Sequence, residues 1–414
     1  MMTSFLYNLS LYLYRAAILL ASPFNKKAQK WTLGRKGLLK RMEEALYNES
    51  HLIWFHAASL GEFEQGRPLM EAIKQRHPEY KILLTFFSPS GYEVRKNYTG
   101  ADFIFYLPLD TPRNARKFVE IAHPEMVFFI KYEFWFNTIH CLNQKEIPLY
   151  YVSAIFRSNQ HFFKSYGGWF RKQLKKINWF FVQNESSAAL LKSIGIEQVS
   201  ICGDTRFDRV WSVAQDRRAF PEVAHFAEGQ PVLLAGSTWP PDEELLIQLL
   251  NDHPGTFRCI IAPHEIDHQR MDAFAQKVNA TCIKYSEIQA KDPASASVLF
   301  IDNIGILLHL YQYAHIAYIG GGFGKNIHNI LEAATFAKPV VFGPNYHKFQ
   351  EAKDLLSLGG AFCVHDYAET NTIIMKLMDD PGFYCNSAET CSRYVQQNLG
   401  GTDHILSKVF KNSK

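Results

Sequence analysis

A chain of 414 residues exceeds one ordinary domain and suits two. Its 47% apolar and 20% charged residues exclude a disordered or fibrous protein, and two cores of about 200 residues each need neither disulfides nor metals. The net charge of +4 is small, and its distribution says more than its size. The seven cysteines are scattered and lack a C-x-x-C pair, which argues for reduced thiols in a cytoplasmic body and against a zinc site or a disulfide framework.

The first informative stretch is Phe5–Ala21, apolar and aromatic, with Arg15 in its middle. Asn8, Arg15 and Ser22 recur every seven residues and would form one polar stripe on a helix. Tyr7, Tyr12 and Tyr14 suit the lipid headgroup level. The run falls about one turn short of the roughly 20 clean residues of a spanning helix. From Lys26 to Arg41 follow seven basic residues (Lys26, Lys27, Lys30, Arg35, Lys36, Lys40 and Arg41) and no acid, a block drawn to anionic lipid. A cleaved signal peptide fits poorly, because no positive charge precedes the apolar run. A buried first helix is the plain alternative. The pattern favours a monotopic anchor with a basic collar over residues 1–42 and the catalytic body on the cytoplasmic side.

From His51 onward short apolar runs alternate with helical stretches, the pattern of parallel sheets covered by helices. Strands are expected at Leu52–Ala57, Lys81–Phe86, Phe103–Tyr106, Met126–Lys131, Pro148–Val152, Trp179–Gln183 and Val199–Cys202. Helices are expected at Glu62–Arg76, Pro112–Ile121, Phe162–Lys175 and Glu185–Ile194. A polar stretch from Asp204 to Gln230 interrupts the rhythm. It restarts with strands at Val232–Ala235, Phe257–Ala262, Thr281–Lys284, Val298–Ile301, His315–Ile319 and Pro339–Phe342, and helices at Asp242–Asn251, Asn329–Ala337 and His347–Leu358. The expectation is an α/β protein of two doubly wound Rossmann-like domains facing a cleft, over residues 43–215 and 216–395. A C-terminal helix over 396–414 would cross back onto the first. Ligands in such folds sit beyond the carboxyl ends of the strands.

Candidate chemistry lies in those loops. The first strand ends in His56-Ala-Ala-Ser-Leu-Gly-Glu62, where Glu62 falls in the first turn of a helix; it is either a dipole-favoured carboxylate or a base. Glu133 follows a buried strand between aromatic residues, as a helix-capping carboxylate or a proton-handling group. Gly236-Ser-Thr238 precedes a helix and offers either a hydroxyl N-cap or an anion site. His264 and His268 are four apart, but no third ligand is evident, so no metal site is expected. The strongest element is Tyr318-Ile-Gly-Gly-Gly-Phe-Gly-Lys-Asn-Ile-His-Asn-Ile-Leu-Glu332. It reads as a strand, a glycine loop and a helix carrying Asn329 and Glu332 on one face, and it is neither a P-loop nor a strict Rossmann fingerprint.

Taken together these residues resemble the 3-deoxy-D-manno-octulosonic acid (Kdo) transferases, over nearly the whole chain. The resemblance rests on the anchor and collar, Ser59-Leu-Gly-Glu62, Glu133-Phe-Trp135, Gly236-Ser-Thr238, Gly321, Gly322, His328, Asn329, Leu331 and Glu332, and Gly343, Pro344 and Phe349. It departs where Pro263-His-Glu265 replaces Pro-Arg-His, where Ser153-Ala-Ile-Phe-Arg157 replaces Asn-Ala-Arg, and where Gly203-Asp-Thr-Arg-Phe-Asp208 replaces Gly-x-Leu-Lys-Phe-Asp. It implies a GT-B glycosyltransferase moving Kdo from CMP-Kdo to a lipid A precursor at the inner membrane in lipopolysaccharide synthesis, with inversion and no cofactor or metal. Glu62 and Glu133 would be catalytic. Gly236, Ser237, Thr238, Pro263, His264, Gly320, Gly321, Gly322, Asn329 and Glu332 would bind the donor, and Ser59, Gly61 and Arg157 the acceptor. Competing readings are a UDP-sugar GT-B transferase, a nucleotide-sugar epimerase and a non-catalytic membrane scaffold.

Overall fold

A computed structural model describes residues 2–216 and 218–410; Met1, Arg217 and the last four residues of the expected C-terminal helix lie outside the described residues. The chain divides into two compact units. One holds the residues up to Asp208 together with those from Gly400, and the other is Arg209–Leu399.

The first unit is built on β1 (Leu52–Ala57), β2 (Lys81–Phe86), β3 (Phe103–Tyr106), β4 (Met126–Ile130), β5 (Leu149–Ala154), β6 (Trp179–Val182) and β7 (Val199–Ile201). They form one parallel sheet in the order β3-β2-β1-β4-β5-β6-β7. The order reverses between β1 and β4, the switch point where ligands gather in such sheets. Every residue of β1 and β4 is buried, which is why both read as unbroken apolar runs.

The second unit repeats the plan with β8 (Val232–Thr238), β9 (Arg258–Pro263), β10 (Cys282–Lys284), β11 (Val298–Phe300), β12 (Ile316–Ile319), β13 (Val340–Phe342) and β14 (Ala361–Cys363). Its parallel order is β10-β11-β9-β8-β12-β13-β14, with the switch between β8 and β12. Two doubly wound α/β units of GT-B type are what the sequence rhythm leads one to expect. The stretch from Asp204 to Gln230 is not a plain linker, however: it carries helices at Arg206–Gln215 and Pro221–Ala227.

Helix α1 (Met2–Ala21) is long and apolar enough, by length and composition, to cross a membrane. It is followed by α2 (Lys26–Gly34) and α3 (Leu38–Ala45). Little of α1 is buried, but one side is docked. Leu11 packs with Trp31 and Leu109, while Tyr7 and Ile18 flank them. The Tyr7 hydroxyl donates to Asp110 at 2.6 Å, and Asn137 donates to the Asn8 side chain at 2.8 Å. The expected polar stripe is therefore split: Asn8 turns inward, whereas Arg15 stays exposed. Tyr7 is likewise engaged with the domain and not left for lipid.

The collar is split too. Arg35 spends its guanidinium on the carbonyls of Leu107, Trp31 and Phe87 and stacks 4.0 Å above Trp31. Arg41 donates to the carbonyls of Lys36 and Gly34. These two sets of bonds tie α2 and α3 in place, while the five lysines and Arg41 remain exposed.

A helix at Gly401–Phe410 completes the first unit. Ile405, Leu406 and Val409 join the cluster that contains Phe128, Phe181 and Cys202. The Asp208 carboxylate accepts from the N–H groups of Gly400 and Thr402, each at 2.7 Å, and so caps the helix start.

Candidate active site

The carboxyl end of β1 leads through Ala58 into helix α4 (Leu60–Arg76), with Ser59 as its N-cap in extended conformation. The Ser59 side chain makes no capping bond; instead Glu62 reaches back and accepts the Ala58 N–H at 2.6 Å. This bond fixes the carboxylate over the strand end. Burial pushes the Glu62 carboxyl up to about 7. The neighbouring Glu133 charge acts in the same direction, and the Ala58 N–H and Lys131 oppose it. Gly61 is neither in the left-handed region nor crowded: a Cβ there would meet nothing within 4 Å. The turn does not require a glycine, and the exposed space before it is open to a ligand.

Beyond β4 the chain turns at Lys131, whose φ of +62° lies in the left-handed region. A residue with a long side chain adopts this conformation at a cost of about 1–2 kcal/mol. The turn carries Glu133 back over β1, so that its Oε2 lies 3.4 Å from Nε2 of His56. His56 itself is fully buried at the end of β1. Its Nδ1 lies 3.1 Å from the Thr85 carbonyl, and Trp135 donates its indole N–H to Nε2 at 3.1 Å. Arg157 is exposed, with its guanidinium 5.7 Å from the Tyr132 ring, one residue before Glu133. The first unit thus brings Glu62, Glu133 and Ser59 to its switch point, with Arg157 beside them.

In the second unit Gly236-Ser-Thr238 lies within β8 and not at a helix start. The helix begins at Pro240, and Pro240 and Pro241 have no N–H to offer an anion. Ser237 has φ +56°, the counterpart of Lys131, and Thr238 is buried and donates to Glu243 at 2.9 Å. Gly320-Gly-Gly322 follows β12, but its glycines answer to packing: a Cβ on Gly320 would sit 2.4 Å from the Ser237 carbonyl, and one on Gly322 2.6 Å from Gly343 Cα. The Gly321 N–H is taken by the buried Asp242 carboxylate at 2.9 Å. The loop does not run straight into a long helix either, because the next helical element is the four-residue turn Leu331–Ala334. Asn329 precedes that turn, yet its amide still donates to Glu332 at 3.1 Å.

What remains open to a ligand is a cavity of about 520 Å³ lined by Trp239, Pro240, Gly324, Lys325, Asn326 and His328. The N–H groups of Lys325 and Asn326 have no acceptor among the described residues. Beside the cavity His264 stacks between Trp239 and His328, with ring centroids at 4.8 and 4.3 Å. The Trp239 indole donates to His328 Nε2 at 3.2 Å, and burial together with His264 draws the His328 imidazole down to about 4. Pro263 ends β9, whereas His268 opens a helix at His268–Ala275, so the two histidines do not share a helix face. No cluster of three metal-ligating side chains occurs among the described residues.

Comparison with known proteins gives this geometry a lineage. Residues 33–209 match the family profile described as 3-deoxy-D-manno-octulosonic-acid transferase (kdotransferase). A 3-deoxy-D-manno-octulosonic acid transferase of Aquifex aeolicus is 29% identical over 353 residues, covering 82% of this chain and 90% of that one. The enzyme of the same name from Haemophilus influenzae is 25% identical, covering 77% and 76%. The chain is a relative of the Kdo transferases. A UDP-GlcNAc 2-epimerase from Neisseria meningitidis shares the fold alone, with a TM-score of 0.59 at 16% identity, over 87% of this chain and all of that one.

Seen as a Kdo transferase relative, the chain collects Glu62 and Glu133 at the switch point of one sheet, and the Gly236–Thr238 and Gly320–Gly322 segments at that of the other. Sequence reasoning missed His56, Trp239 and Lys325. The signal for His56 was present, a lone imidazole inside the otherwise apolar run Leu52–Ala57.

Proposed function

We propose that this protein transfers Kdo from CMP-Kdo to a hydroxyl of a lipid A precursor, with inversion at the anomeric carbon. The observation that carries this reading is the coupled pair of half-buried carboxylates, Glu62 and Glu133, at the switch point of a Kdo transferase-like domain. Glu62 takes the proton of the acceptor hydroxyl as its oxygen attacks the anomeric carbon. The bond from that carbon to the phosphate oxygen breaks, and CMP leaves with the electron pair. A carboxylate held near 7 is matched to this task at neutral pH. Glu133 orients the acceptor, and Ser59, the open side of Gly61 and Arg157 line its approach.

On the donor side, Lys325 and the free N–H groups of Lys325 and Asn326 suit a single phosphate, and the Asn329–Glu332 pair suits ribose hydroxyls. Ser237, Thr238, Pro263, His264 and Gly320–Gly322 form the framework of that pocket. A monophosphate leaving group carries less charge than a diphosphate and calls for no bridging metal.

Membrane association belongs to the same proposal. Phe5, Leu6, Leu13, Leu20 and Phe24 of the N-terminal segment are exposed, Phe24 by 92%. Next to them lies a cavity of about 490 Å³ where Arg15, Lys36 and Lys40 meet Leu19, Leu33 and Leu39. Arg15 and Lys36 have no side-chain partner among the described residues. An apolar face edged by unpaired cations matches a monotopic anchor on the anionic inner membrane. Leu13→Glu with Leu20→Glu is expected to abolish co-sedimentation with phosphatidylglycerol vesicles; undiminished binding would remove α1 as the anchor.

The deciding experiment incubates the protein with a lipid A precursor and freshly generated CMP-Kdo, following CMP release and lipid mass. A gain of one or more Kdo masses, insensitive to EDTA, is expected. No gain with an active donor supply would shift the reading to a UDP-sugar donor.

A further inference from the structure

The first acid in the chain is Glu43, and the 42 residues before it carry eight cations, Arg15 and the seven of the collar. Helices α1, α2 and α3 bring part of that charge to the cavity of about 490 Å³. Arg15, Arg35, Lys36 and Lys40 line it, and no carboxylate does. Lys40 is shared with Glu44 at 3.8 Å, an exposed pair of little weight. Arg35 is placed differently. Its guanidinium donates to three neutral carbonyls and lies over the Trp31 face, so its hydrogen bonds are made while its charge is unanswered. Burial draws it down to about 9, and Tyr106 and Tyr14, not a carboxylate, oppose that shift.

Further groups here lack an acceptor. Trp31 is 6% exposed and walls the cavity, yet its indole N–H has no partner among the described residues. A buried donor left in that state weighs against the fold unless something fills its place. At the start of α3 the N-cap is Gly37, which has no side chain to cap with, and the N–H groups of Leu39 and Lys40 find no acceptor among the described residues. Cations and unmet donors thus converge on a cavity without an acid. The rest of its wall is apolar, with Leu19, Leu33, Leu38 and Leu109. A free phosphate would leave those leucines bare, and an uncharged lipid would leave the cations bare. A phosphate ester carried on acyl chains serves both.

We propose that this cavity holds one anionic phospholipid of the surrounding bilayer, its phosphate on Arg15, Lys36 and the Trp31 N–H and its first chain segment along Leu19 and Leu33. Leu19 and Leu33 are themselves exposed, which gives the acyl chains a way out to the bilayer. The volume falls within the range of ordinary small-ligand sites and takes a headgroup with the beginning of its chains. Arg15 belongs to α1, Trp31 to α2, and Lys36 to the turn before α3, so a single headgroup ties the anchor helix to the collar. An apolar helix face binds a surface, whereas a filled cavity binds one lipid by count. The inference deepens the membrane reading of α1 and rests on it.

The probe is dioctanoyl phosphatidylglycerol, kept monomeric and titrated into the full-length protein by calorimetry. Saturable uptake of one lipid per chain is expected. Dioctanoylglycerol lacks the phosphate and glycerol 3-phosphate lacks the chains; each should bind about tenfold more weakly or worse, the weight of a lost charged contact. Equal binding of either would overturn the proposal. Arg15→Gln with Lys36→Gln should weaken uptake about thirtyfold, near fivefold for each cation at a lipid surface. In protein labelled with nitrogen-15 at tryptophan, one indole resonance should shift on binding and be missing from Trp31→Phe. Saturable binding that leaves that resonance unmoved would overturn the placement of the phosphate. Displacement of the probe by the lipid A precursor, one for one, would give the cavity to the acceptor and end the proposal. Absent uptake beside intact co-sedimentation with phosphatidylglycerol vesicles would defeat this inference alone, whereas loss of both would defeat the membrane reading beneath it.

Discussion

Replacing Glu62 by glutamine is expected to lower kcat by about two to four orders of magnitude, the usual weight of a positioned general base, while raising the melting temperature at pH 8. The two outcomes share a cause. Burial and the Glu133 charge raise the Glu62 carboxyl to about 7 from its ordinary 4.5. An acid whose folded value is raised contributes stability that is fully present below about 4.5 and is lost as pH rises through about 7. At pH 8 the charged carboxylate therefore weighs against the fold. Glutamine can still accept the Ala58 N–H and removes that charge, for a gain on the order of 2 kcal/mol, or about 4–8 °C for a unit of this size. The gain should vanish near pH 4. For the wild type, kcat/KM should climb to a plateau through about pH 7. A Glu62→Gln protein with near-full turnover would remove Glu62 as base, and one destabilised at pH 8 would show that the carboxylate is held by more than the Ala58 bond.

Asp110→Ala should cost about 3 kcal/mol or more, since each buried polar group left unpaired costs about 1–3 kcal/mol. The carboxylate is fully buried and accepts from the N–H groups of Asn137 and Thr138, the Thr138 hydroxyl and the Tyr7 hydroxyl. It caps the helix Phe136–Gln144 from a distant loop, because Trp135 at the N-cap position supplies no side-chain acceptor. Asparagine is no remedy, as it keeps one accepting oxygen and turns a donor towards donors. Burial raises Asp110 to about 6, so its contribution is largest below its ordinary 3.8 and declines as pH rises through about 6. Thermal unfolding should show the loss, together with release of α1. An Asp110→Ala protein with an unchanged melting temperature would mean that water replaces the carboxylate.

How legible was this molecule in its sequence? The runs Leu52–Ala57, Lys81–Phe86 and Phe103–Tyr106 give β1, β2 and β3 with their true ends, because buried parallel strands are continuous apolar segments bounded by polar turns. The three-residue β14 is too short to carry a pattern, and Phe136–Gln144 follows an aromatic stretch that hides its start. The helix expected over Phe162–Lys175 begins only at Gly168, since its first part is a separate short turn at His161–Phe163. At the candidate site, Glu62 and Glu133 were visible because a carboxylate after an apolar strand is conspicuous. Their coupling was not, since it depends on the left-handed turn at Lys131. His56 escaped for the same reason, as its neighbours Thr85 and Glu133 lie on β2 and in the turn after β4. The glycines after β12 were expected to bind the donor. Their small size is explained by contacts of Gly320 with Ser237 and of Gly322 with Gly343, segments that the local pattern does not connect.

The helix at Gly401–Phe410 has a consequence for biosynthesis. Residues that seal the cluster around Phe128 and Phe181 follow the whole of the second unit in chain order. A nascent polypeptide leaving the ribosome will have made all seven strands of its first sheet, then nearly two hundred further residues, before Ile405, Leu406 and Val409 emerge. Until then a greasy strip on the first sheet stays open to chaperones or to a neighbouring chain. The second sheet can close during that wait, so the portion translated first is the last to be finished.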